Sequence, residues 1–488
     1  MAKLRIALLL SAAVVTGSCA GLPLPGSGPA AGEAISQQER QQGAQAHAQL
    51  LQQFGDAYSG RQSAYVVQIG RRIAVESGLS NAQNDFTVTL LNSPVNNAFA
   101  LPGGYVYITR NLVGLMNNEA ELASVMGHEV GHVAARHSSR RQSTSTITQI
   151  LAVGLGLLTG SGDLANLAGQ AAQLYTLRYS RSQEYEADEL GITYLTRAGY
   201  DPFAAAGMLS SLAAQTSLNA RIAGREARSL PEWASTHPDP GARVSRARNT
   251  ASATGAVAGG GTNNREVFLN AIDGMLYDDD PAQGVIDGNT FRHPDLRLQF
   301  TVPQGYTMQN GTSAVVVTGQ NGQAQFGGGQ HSGSLSDHVA RVFRELGGNQ
   351  RQINYGNVTS SRINGIPVAQ ASARVASGSN QVDVTVTAYD FGSNRKYHFM
   401  TVTRAGQGIG PFNSMIRSVA RLSSSEAAAI RPRVIDVVTV RRGDTISGLA
   451  SRMAYQSNQE ARFRVLNALG SGDSLRAGQR VKLVVFGR

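Results

Sequence analysis

The chain of 488 residues contains one cysteine, Cys19, and few charged side chains. A single cysteine excludes both a disulfide framework and a thiolate metal site. Charged residues make up 16% of the chain and hydrophobic residues 41%, which argues against global disorder and predicts globular cores. The apolar stretch Ile147 to Leu158 spans only about a dozen residues, whereas a helix that crosses a bilayer needs about 20.

The basic side chains are not gathered into one patch, although the net charge is +10 and the pI is near 9.9. Proteins that bind nucleic acid concentrate Lys and Arg on one face or along one helix. Because Lys and Arg are scattered here, the sequence predicts no nucleic-acid partner. The excess of positive charge favours a basic face toward an anionic membrane or cell-wall polymer.

The N-terminus has the layout of an export signal, with a charged start followed by the apolar run Ile6 to Val15 and then small residues. Cys19 lies where a bacterial lipoprotein signal is cut and acylated, although Thr16 departs from the Leu or Val usual in such signals. This resemblance implies lipidation of Cys19, and Ala20 in place of Asp implies the outer membrane. The alternative is that Cys19 is incidental within a cleaved signal peptide.

The segment His128-Glu129-Val130-Gly131-His132 carries the clearest chemical signal. It lies in an amphipathic pattern that predicts a continuous helix from Glu119 to His137, with Asn117 or Asn118 as its cap. On a helix, positions i and i+4 share one face, so His128 and His132 can present two imidazoles to one metal. Zinc suits these ligands, and Glu129 beside them can act as a general base.

Two histidines leave a catalytic zinc one protein ligand short. The metzincin pattern would need Gly and His where this chain has Ala135 and Ser138, and His137 is out of register, which predicts a structural role for it. A downstream carboxylate from a second helix is the alternative, with Glu184 as the best candidate. Asp188 lies one turn further on the same face, where it can orient a ligand histidine.

Four motifs in order resemble the gluzincin family of metallopeptidases that includes HtpX, BepA and the CAAX prenyl proteases. The resemblance covers about residues 40 to 250. Its motifs are Asn97 to Gly104, the His128 to His132 helix, Ser180 to Asp188, and Ser235 to Pro238 with Arg243. The chain differs from the BepA type after residue 249, where no helical repeat of about 34 residues follows.

This resemblance implies one Zn²⁺ per chain, held by His128, His132 and Glu184, with Glu129 as the base. It implies that His237 and Arg243 lie near the metal. His237 can stabilise an oxyanion, occupy the open zinc position, or hold a loop. The family also implies that Asn97, Ala98, Phe99 and Ala100 bind substrate, because they lead into an edge strand to which an extended substrate peptide adds.

The C-terminal segment from Val437 to Phe486 has a strand, helix, helix, strand pattern and resembles a LysM glycan-binding module. Two readings stay open, a module that binds peptidoglycan and one that keeps the fold without sugar binding. Between the two recognisable parts, alternating apolar residues predict an antiparallel α+β domain of unknown role around a helix near Leu335 to Leu346.

The predicted architecture is multidomain: a mainly α gluzincin metallopeptidase domain with a small β-sheet, then an α+β domain, then a small LysM-like βααβ domain. The predicted segments are a lipoprotein signal peptide (1–19), a flexible tether (20–34), the zinc metallopeptidase domain (35–250), a linker (251–265), the α+β domain (266–425) and the LysM-like domain (432–488).

The predicted function is that of a zinc-dependent endopeptidase that faces the periplasm from a lipid anchor in the outer membrane. Its expected substrates are misfolded or misassembled cell-envelope proteins, with peptidoglycan as a further partner of the LysM-like domain. One alternative is a non-catalytic assembly factor or chaperone of the envelope that keeps a structural zinc site. A second alternative is a cell-wall hydrolase.

Overall fold

The computed structural model describes residues 34–140, 179–222, 237–311, 314–347, 352–377 and 380–487. Cys19 and the stretch Ile147 to Leu158 lie outside the described residues. Within the described ranges, none of the helices combines the length and the apolar character that crossing a bilayer requires.

The N-terminal region is mainly helical and contains one small sheet. Its helices are α1 (Gln37–Gln53), α2 (Gln62–Val75), α3 (Arg110–Leu115), α4 (Glu119–Ala134), α5 (His137–Arg140), α6 (Arg181–Arg197), α7 (Ala204–Ile222), α8 (Pro240–Ala253) and α9 (Arg265–Ile272). Its strands are β1 (Thr87–Leu91), β2 (Ala98–Leu101) and β3 (Tyr105–Thr109), in the order β1-β3-β2. Strand β3 is parallel to β1 and antiparallel to β2, so β2 forms an edge of this sheet.

Helix α4 is the centre of this region, because nearly all of its side chains are buried. Asn118 caps it, since the Asn118 Oδ1 accepts a hydrogen bond of 2.9 Å from the backbone N–H of Glu121. The helix was predicted to continue to His137, and this was wrong. It ends after Ala134, because Arg136 adopts a left-handed φ of 50° that breaks the helical path, and α5 starts at His137.

The middle region is rich in antiparallel strands, as the alternating pattern predicted. Its strands are β5 (Val285–Asp287), β6 (Thr290–His293), β7 (Leu298–Thr301), β8 (Thr307–Asn310), β9 (Ala314–Gly319), β10 (Gly322–Gln330), β11 (Thr359–Ile363), β12 (Ile366–Ser377), β13 (Asn380–Asp390), β14 (Arg395–Arg404) and β15 (Ala420–Arg421). A seven-stranded sheet has the order β11-β12-β13-β14-β10-β9-β8, and a four-stranded sheet has the order β15-β7-β6-β5.

Three helices accompany these sheets: α10 (Leu335–Gly347), α11 (Asn413–Ser418) and α12 (Ser424–Ala428). Helix α10 covers the large sheet through Val342 and Phe343, which pack in one hydrophobic core with strands β12 to β14. A separate core between the two sheets contains Phe300, Phe326 and Phe399. The middle region therefore has cores of its own.

The C-terminal region, residues 433–487, is called the C-terminal module below. It has the predicted order, with β16 (Arg433–Thr439), α13 (Ile446–Ala450), α14 (Gln459–Leu466) and β17 (Arg480–Phe486). The short strand β4 (Leu276–Tyr277) pairs with β16 and extends the sheet to three strands. Helix α9 and strand β4 share one hydrophobic core with the N-terminal region, which therefore extends beyond the predicted linker to Tyr277.

Candidate metal centre

Four buried side chains converge between helices α4, α6 and the segment before α8. They are His128, His132, Glu184 and His237, and one ligand atom from each lies within 4.8 Å of all the others. The Nε2 atoms of His128 and His132 are 3.0 Å apart, and each is 3.6 Å from a carboxylate oxygen of Glu184. The structure thus brings together the predicted pair of histidines and the predicted third ligand.

The spacing of these atoms fits a small tetrahedral ion. With ligand bonds of about 2.0 to 2.2 Å, neighbouring donor atoms around tetrahedral zinc lie roughly 3.3 to 3.6 Å apart. The separations among His128, His132 and Glu184 are 3.0 to 3.6 Å. Imidazole nitrogens and a carboxylate oxygen are also the donor types that zinc prefers. Geometry and chemistry of this donor set therefore both fit Zn²⁺.

Glycines bring the two ligand-bearing helices into contact. A Cβ atom on Gly191 of α6 would lie 2.9 Å from the backbone nitrogen of His128, and one on Gly131 of α4 would lie 3.0 Å from the carbonyl oxygen of Ala187. Real Cβ atoms essentially never approach as closely as the first of these distances. Gly131, inside the His-Glu-Val-Gly-His motif, therefore helps α6 lie close enough for Glu184 to reach the histidines.

Asp188 and Arg243 form a buried network behind the ligands. The Asp188 Oδ1 lies 3.0 Å from the Nδ1 of His128, so the Nε2 of that ring faces the cluster. Arg243 donates to Asp188 at 2.6 and 2.8 Å and to Glu184 at 2.5 Å. Burial alone would raise the pKa of Glu184, but His237 and Arg243 together lower it. The network favours an ionised carboxylate, the form that binds a metal.

The carboxylate of Glu129 lies beside the cluster and accepts no hydrogen bond among the described residues. The side chain of this residue is buried. The His237 Nε2 is 3.5 Å from the Glu129 Oε1. Burial raises the pKa of Glu129 above its ordinary value, although His237 and His128 oppose this. A buried carboxylate that lacks hydrogen-bond partners and lies next to a metal site is suited to exchange a proton with water.

His137 and Tyr179 contact His132, which the sequence did not predict. The Nδ1 atoms of His137 and His132 are 2.8 Å apart, and the His137 Nε2 lies 3.1 Å from the Glu186 Oε2. Tyr179 stacks on the His132 ring, with 3.7 Å between ring centroids. His137 was predicted to be structural because it is out of register on a continuous helix. The break in the helix at Arg136 brings the His137 side chain next to His132, and no local sequence pattern predicted that break.

The predicted substrate strand is β2, at the edge of the small sheet. Asn97 to Ala100 are all buried, and the Phe99 ring stacks on Tyr107 with 4.8 Å between centroids. The backbone carbonyl of Asn97 accepts a hydrogen bond of 3.0 Å from the N–H of Thr109, which fixes the strand at its start. Helix α4 packs against β2, so the edge strand and the metal cluster share one supporting helix.

Comparison with known proteins finds two family matches within the chain. Residues 60–251 match the model of peptidase family M48, and residues 438–484 match the LysM domain. The chain is 33% identical over 268 residues to the beta-barrel assembly-enhancing protease of Yersinia pestis, a match covering 51% of this chain and 53% of that protein. The Escherichia coli (strain K12) protein of the same name is 34% identical over 239 residues, covering 47% of each chain.

A mitochondrial metalloendopeptidase, OMA1 of Schizosaccharomyces pombe, is 29% identical over 212 residues, covering 42% of this chain and 59% of that protein. The chain thus spans about half the length of the relatives it matches. All four buried donors of the cluster lie within residues 60–251, the part of the chain that matches the M48 family and that is called the M48 domain below. The family match together with the donor set confirms the predicted Zn²⁺ cofactor, and the C-terminal module contains the stretch that matches the LysM domain.

Proposed function

We propose that this protein is a zinc-dependent endopeptidase. The observation that carries the proposal is the buried cluster of His128, His132, Glu184 and His237 in the M48 domain, beside the carboxylate of Glu129, whose oxygens accept no hydrogen bond among the described residues. The matched relatives have names that describe proteases, which supports the same reaction class. Hydrolysis of a peptide bond needs an activated water and a donor of a proton to the leaving amine.

His128, His132 and Glu184 hold the zinc in this proposal. The bound ion supplies Lewis-acid polarisation of the peptide carbonyl and lowers the pKa of a water molecule. Glu129 accepts a proton from the attacking water and passes it to the nitrogen of the leaving amine. Asp188 and Arg243 keep the His128 ring and the Glu184 carboxylate oriented, because they bond both groups from behind.

His237 fits the open zinc position better than the other two roles predicted for it. Its Nδ1 lies 3.2 Å from the His128 Nε2 and 3.0 Å from the Glu184 Oε1, the spacing that fellow ligands have. A histidine in that position would compete with water for the ion and so would lower the turnover of substrate. A His237→Ala variant that turns over substrate faster than the parent supports this role, whereas slower turnover indicates an oxyanion contact.

An extended substrate segment adds to strand β2 in this proposal. Strand β2 is an edge strand and packs on helix α4, so a chain paired with it passes close to the metal cluster. Backbone pairing requires no particular side chains and lets an endopeptidase accept many sequences. This suits unfolded segments, because a folded strand already has its backbone groups paired.

Misfolded or misassembled cell-envelope proteins are the proposed substrates. The support is the name of the bacterial relatives, beta-barrel assembly-enhancing protease, together with the signal-like N-terminus of this chain. Lipidation of Cys19 would tether the enzyme to the outer membrane, facing the periplasm. The LysM domain supports peptidoglycan as a further partner.

The test is hydrolysis of an unfolded protein by the purified mature chain and by its Glu129→Gln variant. The proposal predicts cleavage by the parent and a loss of about 10²- to 10⁴-fold in the variant, because proton transfer contributes that much. Equal activity of the two proteins would reject the peptidase function and favour the non-catalytic assembly factor. Purified cell-wall sacculi are incubated in parallel, and zinc-dependent release of muropeptides without proteolysis would favour the cell-wall hydrolase.

A further inference from the structure

The C-terminal module and the M48 domain share one hydrophobic core. Phe463 of α14 and Leu483 of β17 belong to the same buried cluster as Leu115 and Met126 of the M48 domain. Helix α14 packs against α7, and strand β4, which follows the M48 domain in the chain, pairs with β16 of the module. Such a continuous core is typical of parts of one domain, whereas tethered domains have separate cores.

Lysine is rare in this chain, and the described lysines are buried. Only three of its 43 basic residues are lysines, Lys3, Lys396 and Lys482. Lys3 lies outside the described residues. Lys396 and Lys482 are both buried, and both donate hydrogen bonds to backbone carbonyls. The two described lysines are therefore not surface charges. The positive charges on the surface of the described chain come from arginine.

The side chain of Lys482 extends from the module and contacts the backbone of the M48 domain. Its Nζ donates to the carbonyl oxygens of Gly114 at 2.8 Å, Leu115 at 3.2 Å and Met116. These carbonyls end helix α3 and begin the turn that leads into α4, the helix with both ligand histidines. An ammonium group has three N–H donors around one compact atom, which matches three converging carbonyls better than the planar guanidinium of arginine.

The surroundings hold Lys482 from both sides. Asn467 of the module bonds both backbone groups of Lys482, accepting from its N–H at 2.7 Å and donating to its carbonyl at 2.9 Å. Across the interface, Arg265 of α9 donates to the carbonyls of Asn117 at 2.8 Å and Arg480 at 3.1 Å. The position of β17 on the M48 domain is thus fixed by hydrogen bonds as well as by apolar packing.

We propose that the C-terminal module is permanently docked on the M48 domain, with Lys482 as the docking residue at the turn before α4. Arg441, Arg442 and Arg452 of the module remain exposed to solvent. A ligand bound on this exposed basic surface is therefore held at a fixed distance and orientation from the metal cluster. The inference does not depend on the peptidase function, because it concerns the interface alone.

Cutting the chain between the middle region and the module tests this docking. Ala428 and Ala429 are exposed, so the recognition site of a sequence-specific protease inserted there can be cleaved in the folded full-length protein. We expect the severed module to stay with the rest of the chain during gel filtration. A Lys482→Met variant should release at least about tenfold more free module, because three buried carbonyls lose their donor. The matched Lys396→Met variant, altered in the other buried lysine, should retain the module.

Two results would overturn the proposal: elution of the severed parent module as a separate species, or equal retention by the Lys482→Met and Lys396→Met variants. If the Lys482→Met variant fails to fold, acylation of amines in the uncut parent protein gives the answer instead. Lys482 should react at least about 100-fold more slowly in the native protein than in urea, because its exposure requires opening of the interface. Equal rates in the two conditions would show that the module undocks freely.

Discussion

The two ends of helix α4 contain different buried charge clusters. At the C-terminal end, His128, His132 and Glu184 aim their ligand atoms at one point, and Glu129 has no hydrogen-bond partner among the described residues. At the N-terminal end, Lys482 uses three donor hydrogens on three carbonyls. One cluster leaves groups available to an ion and a substrate, whereas in the other the Lys482 amine is engaged by three carbonyls of the fold.

Helix α4 therefore has two roles: its C-terminal end carries the metal cluster, and the turn at its N-terminal end contacts the C-terminal module. Glu121, near the N-terminal cluster, accepts hydrogen bonds from the Asn117 backbone at 2.7 Å and the Asn118 side chain at 3.2 Å. Burial raises the pKa of Glu121 and lowers that of Lys482 well below its ordinary value. A satisfied cluster of this kind contributes to the fold, and an incompletely satisfied one is a candidate for function.

The largest effect on stability is expected from Lys482→Met. Removing one partner from a buried charged network costs about 3 to 5 kcal/mol, because the remaining polar groups stay buried without a donor. Denaturant titration should show this loss, while the zinc content of the folded fraction stays equal to that of the parent. A loss of zinc without a loss of stability would contradict the separation of the two ends of α4.

An intermediate effect is expected from Asp188→Asn at the other end of the helix. Replacing the partner of a ligand histidine weakens metal binding by about 10- to 100-fold. Competition with a chelator measures the zinc dissociation constant. The neighbouring Glu189→Gln is the matched control, because Glu189 forms an ion pair with Arg246 in which both side chains are about half exposed, at 49% and 45%. If both variants weaken zinc binding equally, Asp188 has no special role.

The smallest effect is expected from Glu266→Gln, which alters a partly exposed ion pair across the docking interface. The Glu266 Oε2 lies 3.1 Å from a guanidinium nitrogen of Arg480, and the Glu266 side chain is 62% exposed. Exposed ion pairs contribute about 0 to 1 kcal/mol because water and salt screen them. Thermal unfolding should therefore differ little from that of the parent. A loss of stability as large as that caused by Lys482→Met would show that the interface depends on this peripheral ion pair.

The sequence predicted those features of the fold that local pattern determines. The capped start of α4 at Asn118, the pair of ligand histidines and the βααβ order of the module all follow from short-range spacing. Glu184 was singled out as a downstream carboxylate on a second helix, and the structure places it in the cluster with the two histidines. These features depend on neighbours in the chain, which a sequence displays directly.

Features that depend on tertiary contact were missed. His137 reaches His132 only because Arg136 adopts a left-handed backbone conformation, and nothing in the local pattern required that. The contact of Lys482 with Gly114 joins residues that are 368 positions apart. A separation of that size leaves no periodic signal, so the LysM resemblance alone suggested an independent module.

The zinc content of a Glu184→Gln variant is the most direct test of the metal site. In the proposed site, Glu184 from α6 completes the set of metal ligands next to the two histidines of α4. The parent protein should then carry one zinc per chain, and the purified variant should lose most of its zinc while keeping a cooperative unfolding transition. A folded variant that retains one zinc per chain with the affinity of the parent would contradict the assignment of Glu184 as a ligand.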